Sequence, residues 1–244
     1  ATEFDRSCGN CNQWVYEIEK RAFEKADKII TVSEYEKNNI VNRYFIDPGK
    51  IEVVHNAIEV NSNLKRIEKK KIVLFLGRLT IQKGADYFIM AAKKILERRR
   101  DILFVIAGSG ELLPRLVDLV CNLGIGEKVL FTGRLSDEEV EKIYEIASVY
   151  VMPSVSEPFG LTALEAISKG TPVIISKNSG VREVIKHRLE VDFWDIDELA
   201  NKILSTLEYS ALREELARNS YEELKKLSWE NQGKKVLEIY KSLI

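Results

Sequence analysis

Two glutamates with seven residues between them flank a glycine in the second half of the chain. Glu157 and Glu165 lie on either side of Gly160, in the segment SEPFGLTALEA. The apolar run 149–152 before this segment predicts a buried parallel strand, and the segment passes into a helical pattern that stops at Gly170. A helix that begins at such a turn can bind an anion, because its free N–H groups and the positive end of its dipole face the same point.

The two carboxylates would stand on opposite sides of that anion. Glu157 precedes the predicted helix, whereas Glu165 lies about five residues into it, roughly 7 Å along the helix axis. Each acid could then accept hydrogen bonds from hydroxyl groups, which suits a sugar joined through a diphosphate to a nucleoside. Solvated glutamates on an ordinary helix are the alternative that geometry alone leaves open.

Two cations follow another predicted strand. Gly77 and Arg78 come directly after the strand 72–76, and Lys83 follows near the start of the next predicted helix. A guanidinium fork and a lysine ammonium near one point suit a diphosphate. Judged by composition alone, both would be ordinary loop residues.

Glycine turns end two more predicted strands. The sequence GSG at 108–110 follows the strand 102–107, and GRL at 133–135 follows the strand 128–132. A glycine pair is weak evidence for a nearby phosphate or sugar, because a tight turn explains it equally well.

The elements that must position these residues alternate regularly from residue 71 onwards. Strands alternating with helices predict an α/β fold with a Rossmann-like, doubly wound parallel sheet, whose ligands bind at the carboxyl ends of the strands. The predicted strands are 72–76, 102–107, 128–132, 148–152, 172–175 and, more weakly, 189–192. The predicted helices between them are 83–99, 111–123, 136–146, 160–169 and 178–187.

The flanking segments also have regular patterns. Before residue 57 the sequence predicts helices at 12–26 and 34–44 and strands at 28–33 and 50–54; a polar linker follows through Lys71. After the alternation it predicts helices at 195–207, 211–227 and 229–244. Ser33, Ser136 and Ser228 stand at helix N-cap positions.

The composition excludes several classes of function. The chain has 244 residues, 45% of them hydrophobic, and a net charge of −1, so it can bury a core but has no basic stripe for nucleic acid. No apolar run is long enough to span a membrane and no signal peptide is visible, so we expect a cytoplasmic protein without a transmembrane segment.

The three cysteines do not form a disulfide framework. Cys8 and Cys11 have the Cys-x-x-Cys spacing of half a zinc site or a redox pair, but no second pair follows, so reduced thiols in a loop are the expectation. Cys121 lies in a helical apolar pattern and is predicted to be in the core.

The phrase EPFGLTALEA, together with GRLTIQKG at 77–84, resembles the signatures of the retaining glycosyltransferases of GT-B fold, family 4 (glycosyl transferases group 1). The resemblance implies three parts: residues 1–56 as the tail of an amino-terminal, acceptor-side domain, 57–228 as the nucleotide-sugar-binding domain, and 229–244 as a helix that crosses back. It also implies that most of the amino-terminal domain is missing before Ala1.

Roles for individual residues follow from the same resemblance. Arg78 and Lys83 would contact the donor diphosphate and stabilise the leaving group, and Glu157 would hold the sugar hydroxyls. We expect no metal and no cofactor, because these cations can supply the charge; the donor would be a UDP- or ADP-linked sugar and the acceptor a hydroxyl group. The implied donor-binding residues are Gly77, Gly108, Arg134 and Leu135 beside the base, Phe159, Gly160, Leu161, Thr162, and Glu165 at the ribose.

Alternative functions remain open at this stage. An α-glucan is one candidate acceptor, as in a glycogen-synthase-like enzyme. A fragment that binds nucleotide sugar without turnover, a sugar-nucleotide epimerase, a phosphorylase or a ligand-free scaffold are the others. His55 is predicted to be a hinge-loop histidine rather than a catalytic one, and Ser179-Gly180 stands where many relatives have two glycines.

Overall fold

The computed structural model describes residues 2–60 and 67–243, which form two parallel sheets with helices around them. The smaller sheet pairs β1 with β2 in parallel, as the β-branched runs predict. Residues 61–66 of the predicted linker lie outside the described residues. The elements of this first part are α1 (Glu3–Ser7), α2 (Gln13–Lys25), β1 (Ile29–Thr31), α3 (Glu34–Tyr44) and β2 (Ile51–Val53).

The larger sheet has six parallel strands in the order β5-β4-β3-β6-β7-β8, which confirms the predicted fold class. Its strands are β3 (Lys70–Leu76), β4 (Leu103–Ala107), β5 (Val129–Gly133), β6 (Ala147–Met152), β7 (Val173–Ser176) and β8 (Leu189–Val191). The remaining helices are α4 (Ala85–Leu96), α5 (Leu113–Asn122), α6 (Asp137–Ile146), α7 (Leu161–Ser168), α8 (Ile196–Glu208), α9 (Ser210–Leu224) and α10 (Trp229–Lys241).

Helices cover both faces of the larger sheet. Val73 and Phe75 of β3 share one buried cluster with residues of α4, α5 and α8. Ile72 and Leu74, which alternate with them, share a second cluster with residues of α6, α7 and α9. Burial on both faces explains why the strands read as continuous apolar runs instead of alternating ones.

The three predicted serine caps are confirmed. Ser33 accepts a hydrogen bond from Glu36 N, Ser136 from Glu139 N and Ser228 from Asn231 N. At Ser136, the carboxylate of Glu139 also accepts from the cap, which completes a capping box.

Two predicted helices differ in the structure. The predicted helix 83–99 begins only at Ala85, because Gly84 has a φ of 69° and Lys83 lies in the preceding 3₁₀ turn Ile81–Lys83. The prediction of a helix over 178–187 is wrong: a 3₁₀ turn, Gly180–Glu183, is all that forms there. The N–H groups of Gly180 and Val181 instead donate to the carbonyls of Glu157 and Phe159, which draws them away from a regular helix.

The prediction for Cys121 is also wrong, because its side chain is exposed. The buried face of α5 contains Leu116 and Val120, four residues apart, and Cys121 follows one position later on the outer side. Cys8 and Cys11 are free thiols. The predicted end of the last helix at Ile244 lies outside the described residues, and over residues 2–60 and 67–243 no helix has the length and apolarity that crossing a bilayer requires.

Candidate active site

Backbone atoms of two glycines form the floor between β3 and β4. Gly77 N donates to the carbonyl of Ala107 at 3.0 Å, and Gly108 N donates to the carbonyl of Gly133 at 2.8 Å. Gly108 has a φ of 135°, and a Cβ atom there would lie 1.9 Å from the carbonyl oxygen of Gly77. A side chain at residue 108 is therefore excluded both by its backbone conformation and by the neighbouring strand.

A depression of about 400 Å³ opens above this floor, and we call it the β3–β4 depression. Five predicted site residues line it: Gly77, Arg78, Gly108, Arg134 and Leu135. Within the described part of the chain, neither guanidinium has a carboxylate partner, and both side chains are exposed. The depression therefore has a backbone floor and two available cations, which suits a phosphate-bearing ligand. The other lining residues are Leu76, Ala107, Ser109 and Val140.

Lys83 and Glu157 form an ion pair next to this depression. Lys83 Nζ lies 2.5 Å from Glu157 Oε2, and Ser154 Oγ donates to the same oxygen at 3.3 Å. Glu157 is only 7% exposed, so most of its contact with water has been replaced by these donors. A Cβ atom at Gly77 would lie 3.9 Å from Lys83 Cδ. The lysine stem thus runs beside the floor of the β3–β4 depression and places its ammonium at Glu157.

The residues before α7 bring its first turn to the same edge of the sheet. Gly160 has a φ of 114°, and a Cβ atom there would lie 2.8 Å from Met152 Cε. Glycine is therefore required for packing against β6 as well as for the turn. Leu161 is 40% exposed at the start of α7, whereas Phe159 is 3% exposed. The ring of Phe159 lies in the core, which leaves its backbone as the part that can face a ligand.

Two buried tyrosines connect α7 to the sheet. The hydroxyl of Tyr150 donates to the carbonyl of Leu76 at 3.1 Å and lies 2.8 Å from the hydroxyl of Thr162. Tyr144 donates to Glu165 Oε2 at 3.2 Å. Burial raises the pKa of Tyr150, the hydrogen bond with Thr162 lowers it in part, and the charges of Glu157 and Glu165 raise it further. Both carboxylates therefore act on one phenol at the end of β6.

Glu165 is a half-buried carboxylate whose ionisation opposes folding. Burial raises its pKa, the hydrogen bond from Tyr144 lowers it in part, and the charge of Asp137 raises it further. A carboxyl with a raised pKa in the folded state binds more protons folded than unfolded, so its contribution to stability falls as the pH rises from its unfolded pKa through its folded one.

We therefore expect Glu165→Gln to increase the free energy of unfolding at pH 7. The gain over the wild type should shrink as the pH falls towards the ordinary glutamate pKa, where the wild-type side chain also becomes neutral. Thermal unfolding of both proteins between pH 4 and pH 8 measures the difference. A gain that is independent of pH would contradict this origin.

His55 lies at the hinge between the two sheets, as predicted. Its Nε2 lies 2.9 Å from Glu183 Oε2, and its ring centroid is 6.0 Å from that of Phe159. Glu183 also accepts hydrogen bonds from the backbone N–H groups of Glu34 and Tyr35, both at 2.9 Å. The histidine thus belongs to a polar contact between the amino-terminal segment and the loop after β7.

One Asp-x-Asp sequence occurs after β8, where each carboxylate has a structural partner. Asp195 accepts a hydrogen bond from Glu198 N and caps α8. Asp197 forms an ion pair with Lys94. No group of three or more metal-ligating side chains forms in the described ranges 2–60 and 67–243.

The structure brings the predicted residues together in two adjoining groups. One group lines the β3–β4 depression, and the other surrounds the Lys83–Glu157 pair and the first turns of α7. Sequence reasoning missed Tyr144 and Tyr150, which occupy apolar patterns that conceal the role of their hydroxyl groups.

Comparisons with known proteins agree with this arrangement. Residues 58–223 match the family model described as Glycosyl transferases group 1, and residues 7–62 match the one described as Glycosyltransferase Family 4. Over 99% of its length, the chain is 36% identical to an uncharacterized glycosyltransferase of Methanocaldococcus jannaschii. Over 91% of its length, it is 29% identical to the D-inositol 3-phosphate glycosyltransferase of a Nocardioides species. The chain spans 67% and 55% of the length of these two relatives.

Solved structures show the same fold. The crystal structure of Anabaena HepE in complex with UDP-glucose matches 99% of this chain with a TM-score of 0.87, at 18% sequence identity. The match covers 71% of the HepE chain. The fold is that of the GT-B glycosyltransferases.

Proposed function

The chain belongs to the glycosyl transferases group 1 family, and from that premise we propose that it binds a nucleoside-diphosphate sugar and transfers the glycosyl group to a hydroxyl acceptor with retention of configuration. The observation that carries the proposal is the continuity between the β3–β4 depression and the Lys83–Glu157 pair along Gly77. Cations line one part of this surface and carboxylates stand at the other, as a diphosphate joined to a polyhydroxylated sugar requires.

Departure of the nucleoside diphosphate is the step that these residues would assist. The bond between the anomeric carbon and the β-phosphate oxygen breaks, a bond from that carbon to the acceptor oxygen forms, and the hydroxyl proton passes to the departing phosphate. Arg78, Lys83 and the first N–H groups of α7 would stabilise the charge that builds on the phosphate, because they are fixed before the reaction begins.

The carboxylates would hold the two sugars of the donor. Glu157 would accept hydrogen bonds from the transferred sugar, and Glu165 from the ribose. Arg134 and Leu135 would lie beside the base, so the exposed edge of the β3–β4 depression takes the nucleoside. Of the amino-terminal part, residues 2–56 supply contacts to the turn that contains Glu157, and we propose that the acceptor binds on this side.

Calorimetric titration with UDP-glucose, ADP-glucose and their nucleoside diphosphates tests donor binding. Incubation of the best donor with malto-oligosaccharide or D-inositol 3-phosphate, followed by analysis of products, tests transfer. Binding without any product would select the donor-binding module over the transferase for this chain. Absence of binding in all titrations would contradict both.

We expect Glu157→Ala and Glu165→Ala to differ in the ligand they affect. Glu165→Ala should weaken both the nucleoside diphosphate and the nucleotide sugar on the order of 10-fold, because both contain ribose. Glu157→Ala should weaken the nucleotide sugar alone. Titration of both variants with UDP and UDP-glucose measures this, and identical behaviour would disprove the assignment of the two acids to different sugars.

A further inference from the structure

A buried carboxylate of α1 reaches the turn that presents Glu157. Asp5 is 3% exposed, and each of its oxygens accepts two hydrogen bonds. Oδ2 accepts from the backbone N and the hydroxyl of Thr2, at 3.0 and 2.9 Å. Oδ1 accepts from Asn39 Nδ2 at 3.2 Å and from Ser156 Oγ at 2.6 Å. Ser156 directly precedes Glu157, so Asp5 contacts the turn of residues 156–158, here called the Glu157 turn.

The direction of the hydrogen bonds at Ser156 follows from its single proton. That proton is committed to Asp5 Oδ1, because an ionised carboxylate can only accept. The hydroxyl of Tyr35, 3.0 Å from Ser156 Oγ, must then be the donor in that contact. Ser156 is therefore held by an acceptor on α1 and by a donor on α3, and both belong to the amino-terminal segment.

The rest of the Glu157 turn is fixed from the same side. Ser33 Oγ donates to the carbonyl of Pro158 at 2.5 Å. A Cβ atom at Gly180 would lie 2.3 Å from this carbonyl oxygen and 2.5 Å from Ser33 Cβ, so the glycine lets the two segments approach. Glu157 itself gives its backbone N–H to the carbonyl of Asn178 and accepts at its own carbonyl from Gly180 N. With the backbone held on both sides, the Glu157 side chain has a defined origin from which to meet Lys83.

We propose that Asp5 is a positioning residue, which acts through Ser156 to aim the Glu157 carboxylate at the transferred sugar. The proposal rests on the proposed function, in which Glu157 contacts that sugar. Asp5 touches neither donor nor acceptor in this role. Its influence is confined to the sugar half of the donor, because Arg78, Arg134 and the β3–β4 depression have no contact with α1 through the Glu157 turn.

The test compares Asp5→Ala and Ser156→Ala with Tyr16→Phe, all titrated with UDP and UDP-glucose. Tyr16→Phe is the matched control, since it removes one side-chain hydrogen bond of the same segment, to the carbonyl of Arg43, away from the Glu157 turn. Asp5→Ala and Ser156→Ala should each weaken UDP-glucose on the order of 10-fold and leave UDP within twofold of the wild type. The double variant should lose little more than either single one, because both changes break the same contact. Tyr16→Phe should alter neither affinity.

A second measurement does not depend on nucleotide. The ¹³Cδ resonance of Glu157 and its pH titration should change in Asp5→Ala and Ser156→Ala, because the carboxylate meets Lys83 differently, and should stay unchanged in Tyr16→Phe. If Asp5→Ala does not fold, Ser156→Ala carries both measurements. A wild type that binds no nucleotide would defeat the proposed function, and the resonance would still decide the positioning role. Equal losses for UDP and UDP-glucose, or an unchanged resonance in a folded variant, would overturn the proposal.

Discussion

Replacing Gly108 with alanine is expected to lower the free energy of unfolding by about 4 kcal/mol or more. The new Cβ atom would lie 1.9 Å from the carbonyl oxygen of Gly77, which is backbone and cannot rotate away. It would also force a residue with a side chain into a φ of 135°. Relief requires β3 and β4 to move apart at the floor of the β3–β4 depression, so nucleotide affinity should be lost together with stability.

Gly133→Ala is the matched control for this prediction. Gly133 ends the neighbouring strand β5, its φ is 70°, and its Cβ atom would meet nothing within 4 Å. Its replacement should cost only the left-handed backbone conformation, about 1 kcal/mol. Urea unfolding of both variants, with titration of UDP, measures the contrast. Similar losses in the two variants would show that contact with Gly77 is not what requires glycine at 108.

Replacing Lys83 with methionine should affect binding and stability through different atoms. The methionine keeps an apolar stem beside Gly77 but leaves the 7% exposed Glu157 carboxylate without its ammonium partner. We expect a loss of about 2–3 kcal/mol in the free energy of unfolding, because an unpaired charge stays in a largely dry place. Donor affinity should fall on the order of 10- to 100-fold, because the diphosphate loses a charged donor.

The double variant Lys83→Met/Glu157→Gln separates the two effects. A neutral amide at 157 removes the buried charge, so most of the lost stability should return. Donor affinity should remain low, because no cation has been restored. Calorimetric titration and chemical unfolding of the single and double variants make the comparison. Recovery of affinity along with stability would show that Lys83 serves only to neutralise Glu157.

Local patterns in the sequence were sufficient for the elements that carry the site. Ser136 with Glu139 indicated the start of α6, and the apolar runs indicated the central strands, because these signals depend on neighbouring residues alone. The fold class followed from the alternation of such runs. The GT-B fold itself was an expectation from resemblance, which the solved relatives confirm.

Long-range contacts account for what the sequence did not predict. The segment 178–187 has the composition of a helix, but the carbonyls of Glu157 and Phe159 take its N–H groups. Lys83 lies before Gly84 in a 3₁₀ turn instead of opening α4, because Gly84 packs against the carbonyl of Pro153. The Asp5–Ser156 hydrogen bond joins residues 151 positions apart, and no local spacing indicates such a pair.

The contacts of Ser33, Tyr35 and His55 with the loops after β6 and β7 have a consequence for protein engineering. A chimaera that exchanges donor specificity between two relatives would ordinarily place its crossover near residue 57, where the sequence indicates a linker. Such a junction would pair the Glu157 turn of one parent with the amino-terminal segment of the other. A crossover upstream of Asp5 keeps the turn with the segment that holds it, and this is the junction at which transplanted specificity should survive.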